Sequence, residues 1–64
     1  MLKPFQDRVV TEKQELDVKI SALTTFLDGE GTRNISIDDI NLLAAQLYIM
    51  KEYSSILEKR ISRF

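Results

Sequence analysis

Two groups of residues far apart in the sequence have the chemistry to hold an anion. Lys3, Phe5 and Arg8 stand near its start, and Lys59, Arg60 and Arg63 stand beside Phe64. Arginine and lysine take phosphate oxygens and an aromatic face stacks on a base, so the combination suits a nucleotide. Cations in the last turns of a helix also complement its dipole, which needs no ligand at all. Catalysis has much less to work with. The chain has no histidine and no cysteine, which removes the common general base, the thiolate nucleophile, disulfides and zinc sites built from imidazole or thiolate. Asp38 and Asp39 are adjacent, so on a helix they point about 100° apart and cannot share one proton or metal. Asp28, Glu30 and Asn34 lack the regular oxygen ligands and terminal bidentate glutamate of a calcium loop. The expectation is a non-enzyme with no cofactor and no metal.

Those residues must be positioned by very little protein. With 64 residues the chain makes one small domain, residues 1–64. Such a domain buries only about 60% of the surface its unfolded chain exposes, and without disulfide or metal its natural support is self-association. Nine basic and ten acidic residues give a net charge of -1, so no global basic field draws the chain to nucleic acid or an anionic membrane. The charge is unevenly placed. Residues 28–39 hold four acidic groups against Arg33 alone, whereas residues 40–64 are net positive by two. The longest uninterrupted apolar run, Leu42 to Ala45, falls far short of the roughly 18 residues of a membrane span. No targeting segment is evident, and a cytoplasmic protein is expected.

Glycine and proline divide the chain into two helices and a hinge. Pro4 suits the first position of a helix, where its missing N–H has no partner to lose. From there Leu2, Val9, Leu16 and Leu23 share one heptad position and Ile20 and Leu27 the other, with Gln6 and Lys13 as polar interruptions. Lys13 can pair with Asp17 and specify register, and Glu15 has the spacing to pair with Lys19. Asp28-Gly29-Glu30-Gly31 stops the helix, with glycine expected in the left-handed conformation. Ser36 then offers a cap, with Asp38 and Asp39 in the first turn and Ile35 and Ile40 spaced as a hydrophobic staple. The second seam runs Ile40, Leu43, Leu47, Met50, Ser54, Leu57, Ile61 and Phe64, broken only by Ser54.

The fold class is therefore all-α: an antiparallel two-helix hairpin, helices about 4–28 and 37–63, of matching lengths near 36 and 40 Å at about 1.5 Å per residue. A second stripe, Leu42, Ile49, Tyr53 and Ile56, widens the apolar face of the second helix beyond what the first can cover. This is the expected oligomer interface, with another copy building a four-helix bundle or a larger ring. Tyr48 lies on a different side of that helix from Tyr53 and is free to meet a partner. The antiparallel hairpin returns Lys59, Arg60 and Arg63 to the end holding Lys3, Phe5 and Arg8, and oligomerisation would gather several such ends.

Arg8-Val9-Val10-x-Glu12-Lys13-x-Glu15-Leu16-Asp17-x-Lys19-Ile20 in the first helix resembles a group of very short phage-encoded proteins. So does Gln46-Leu47-x-x-Met50-x-x-Tyr53-Ser54-x-Ile56-Leu57-x-x-Arg60-Ile61-x-x-Phe64 in the second, and together the two segments span most of the chain. More distantly, a short oligomerising helical hairpin is similar to the phage anti-CBASS sponges, which bind cyclic oligonucleotide immune signals without cleaving them. The resemblance implies an accessory protein of the host-cell cytoplasm that antagonises host defence by binding, with a small nucleotide as one ligand. Two alternatives stay open. One is an oligomeric module that binds a host protein. The other is an RNA binder, since a dimeric hairpin of this size resembles the small plasmid protein Rop, although the acidic pI weighs against nucleic acid.

Overall fold

The structure, a computed structural model, describes all residues, 1–64. Helix α1 (Pro4–Asp28) and helix α2 (Ile37–Ile61) pack antiparallel and are joined by a short 3-10 turn at Glu30–Asn34. The molecule is a rod of 47 × 15 × 14 Å. Pro4 occupies the start of α1, and the Gln6 side chain turns back so that Lys3 N–H donates to its Oε1 at 2.9 Å. That contact accounts for a polar residue at a seam position. Ser36 caps α2 as its hydroxyl accepts from Asp39 N–H at 3.2 Å, with Asp38 and Asp39 in the dipole's favoured place.

Two local details differ from expectation. No glycine has positive φ; Gly29 ends α1 in an extended conformation, φ -102 and ψ -170, with its N–H donating to the Phe26 carbonyl. The helix is closed by an i to i−3 bond and then by the 3-10 turn, so the left-handed conformation is not needed. Gly31 matters through space instead, since a Cβ there would stand 2.7 Å from a ring carbon of Phe26, which folds over the hinge. At the other end α2 stops at Ile61 rather than residue 63. There Arg63 N–H donates to the Arg60 carbonyl at 3.1 Å and Phe64 N–H to that of Ile61 at 3.0 Å, a tightened last turn.

Both seams face each other. From Gln6 through Leu27 on α1 and from Ile40 through Ile61 on α2, every seam residue is buried or half-buried. Ile35 and Ile40, the staple pair, are both half-buried. Only Val9, Ser54 and Leu57 are buried, and Leu57 alone has 0% exposure. All three lie toward the open end of the hairpin, so the best-packed layer is where the termini meet. Leu2 and Phe64, at the outer limits of the seams, remain exposed.

Candidate functional site

The open end is assembled by two aromatic rings. Phe5 and Phe64 meet edge to face, centroids 6.3 Å apart and planes at 75°, which ties the first turn of α1 to the last residue of the chain. Both rings keep exposed surface. Lys3 and Arg8 at the start of α1 and Lys59, Arg60 and Arg63 at the end of α2 lie at this same end of the hairpin, all exposed and none within an ion pair. Five cations against Asp7 and Glu58 leave this end net positive by three, while the hinge from Asp28 to Asp39 is net negative by three. The rod is thus an electric dipole. The arrangement can attract an anion and offer it an aromatic surface, but the single chain encloses no cavity.

A second polar group lies between the helices. Lys13 Nζ donates to Asp17 Oδ2 at 2.7 Å and to Ser54 Oγ at 3.2 Å, and Ser54 Oγ donates to Asp17 Oδ1 at 2.5 Å. Glu58 Oε2 stands 3.5 Å from the same ammonium. Beside this group, from the residues next to Ser54 and Lys13 in the chain, Tyr53 OH donates to a carboxylate oxygen of Glu12. No buried polar side-chain atom is left without a partner. The hydrogen bond to Asp17 raises the Lys13 pKa above the usual lysine value, opposed by desolvation and assisted by the Asp17 and Glu58 charges. The hydrogen bonds from Lys13 and then Ser54 hold the Asp17 carboxyl below its usual range. A serine beside a lysine has the parts of a nucleophile and its base, but this lysine is held in its protonated form and this serine is buried. The cluster is a fixed charged layer rather than a catalytic pair.

The two seam interruptions, Lys13 and Ser54, therefore face one another. Periodicity within each helix marks both positions; their meeting follows only from aligning the two breaks across an antiparallel pair. Glu58, and the bond between Tyr53 and Glu12, carried no sequence signal. Glu15 and Lys19, which have the spacing of a pair, do not approach to ion-pair distance. On the outer surface of α2, Leu42, Ile49, Ile56 and Tyr53 remain 69, 65, 54 and 41% exposed, and Tyr48 is exposed on another side. No helix is long and apolar enough to cross a membrane.

The fold and its charge place the chain among short all-helical hairpins with oppositely charged ends. The chain belongs to the family described as Sequestin, whose pattern matches residues 3–63. It is also 40% identical over 60 residues, 94% of each chain, to an uncharacterised 7.5 kDa protein of Enterobacteria phage T4 from the denB-rIIB intergenic region. No solved structure matches it. Short phage-encoded helical proteins are thus its relatives, and the family's name denotes a role in sequestering.

Proposed function

We propose that this protein acts in the host-cell cytoplasm as a non-enzymatic sponge, a homo-oligomer that sequesters a small nucleotide immune signal and so antagonises host defence. The observation that carries the reading is the contact between Phe5 and Phe64, two partly exposed rings at the end of the hairpin that also bears Lys3, Arg8, Lys59, Arg60 and Arg63. Phosphates meet guanidinium and ammonium groups there, and a base meets an aromatic surface. The family's name supports a binding role of this kind.

The test is thermal unfolding with cyclic dinucleotides and cyclic trinucleotides. A ligand at 100 times its dissociation constant stabilises by about 2.7 kcal/mol, roughly 20 °C for a chain of this size. Phe5→Ala and Arg63→Ala are expected to abolish the shift. No shift with any cyclic oligonucleotide overturns the ligand. A second reading, docking to a host protein, is favoured by one observation: Tyr48 is exposed and Ile37, also exposed, lies about three turns earlier on the same side of α2. A saturable host partner lost on Tyr48→Ala would establish it.

A further inference from the structure

The exposed stripe of α2 has an internal symmetry that specifies its partner. Leu42, Ile49 and Ile56 recur at seven-residue spacing and so run along one line of the helix, with Ile49 at the centre. Asp38, Ala45, Glu52 and Lys59 flank that line on one side, and Asp39, Gln46, Tyr53 and Arg60 on the other. Two antiparallel copies of this surface with their two-fold axis at Ile49 place Leu42 against the partner's Ile56. Because such an axis sets each flank against the same flank of the partner, Asp38 then meets the partner's Lys59, and Asp39 the partner's Arg60. Ala45 meets the partner's Glu52, and Gln46 the partner's Tyr53. Both acidic residues at the start of α2 thus find a basic residue at the end of the partner's α2. A parallel pair would set acid against acid at one end and base against base at the other.

We propose that a second copy of this chain docks antiparallel on α2, making Leu42, Ile49, Tyr53 and Ile56 the seam of a four-helix dimer. The single chain leaves this face to water while its basic and acidic ends, three net charges each, lie at opposite ends of a 47 Å rod. Antiparallel docking brings each basic end beside the partner's acidic hinge, which neutralises both dipoles. It also divides the cations into two groups. Lys59 and Arg60 serve the interface, and Lys3, Arg8 and Arg63 remain with Phe5 and Phe64 for an anion. The proposal rests on the self-association inferred above and is independent of the ligand's identity.

The native chain lacks cysteine, so single cysteines report pairing directly. Leu42→Cys mixed with Ile56→Cys is expected to form a disulfide heterodimer under mild oxidation, and Leu42→Cys alone none. Sedimentation is expected to give a dimer, and Ile49→Glu a monomer that keeps its helical circular dichroism. Asp38→Arg with Asp39→Lys should weaken the dimer on the order of tenfold or more, and adding Lys59→Asp with Arg60→Asp should restore it. A native monomer at high micromolar concentration overturns both this proposal and the self-association. An oligomer in which Leu42→Cys cross-links to itself overturns the antiparallel arrangement alone.

Discussion

Leu57→Ala is expected to remove a large share of the stability of this protein. Leu57 is the one large side chain with no exposed surface, and its neighbours in the bundle are two helices with no third layer to collapse inward. Truncating a buried leucine costs about 2–5 kcal/mol, the lost transfer energy plus the cavity left behind. At roughly 0.05–0.15 kcal/mol per residue, 64 residues hold only about 3–10 kcal/mol in total. With an unfolding entropy near 2.1 cal/mol/K per residue, a loss of about 3 kcal/mol lowers Tm by roughly 20 °C. Circular dichroism melts at one fixed protein concentration measure this, because self-association makes Tm depend on concentration. Val18→Ala, an exposed position on α1, is the control and should move Tm by no more than a few degrees. A fall below about 5 °C for Leu57→Ala, or one matched by Val18→Ala, would refute the placement of the core at the open end.

The charged layer gives stability a pH dependence of defined sign. Asp17 is held below its usual value by Lys13 and Ser54, so its contribution is complete above about pH 4 and is lost as pH falls through the lowered folded value. Lys13, raised by its bond to Asp17, contributes fully below its unfolded value and loses that contribution in strong alkali. Urea midpoints across pH 2–7 should therefore flatten in Asp17→Asn, and an unchanged acid limb would exclude the network as its source. At the hinge, Gly31→Ala should displace the Phe26 ring it abuts and lower stability by about 1 kcal/mol. An upward shift in Tm would show that the ring moves aside freely and that lost chain entropy dominates.

Much of this fold was legible because local rules decide it. The alternation of three and four residues defined both seams, Pro4 and Ser36 marked the helix starts, and the two glycines located the hinge. The manner of closing α1 was not legible, since a 3-10 turn and a left-handed glycine satisfy the same carbonyls and the choice depends on how Phe26 packs against Gly31. The pairing of Lys13 with Asp17 followed from spacing within one helix, whereas Ser54 joins them only through the register of two. That both termini, with their basic and aromatic residues, lie at one end followed from the antiparallel hairpin. Its Phe5 and Phe64 contact needed the structure, because α2 could end anywhere in its last turn.

The polar layer and the open end are linked by register. Two apolar seams of heptad spacing can slide past one another by seven residues and still bury hydrocarbon. Such a slip sets Lys13 against Leu47 or Ile61 instead of Ser54, leaving its ammonium against an apolar side chain and away from Glu58. It also separates Phe5 from Phe64 by two turns of helix, about 10 Å, and shifts Lys3 and Arg8 by as much from Lys59, Arg60 and Arg63. The charged layer is therefore better understood as a device that selects one alignment than as a source of net stability, since an ion pair this open to water, with Asp17 exposed, contributes little. Its neighbours Val9 and Leu57 supply the burial, and Lys13, Asp17 and Ser54 determine which ends are brought together. In a protein this small, the residues that specify alignment and those that could bind an anion lie only a few turns apart on the same two helices.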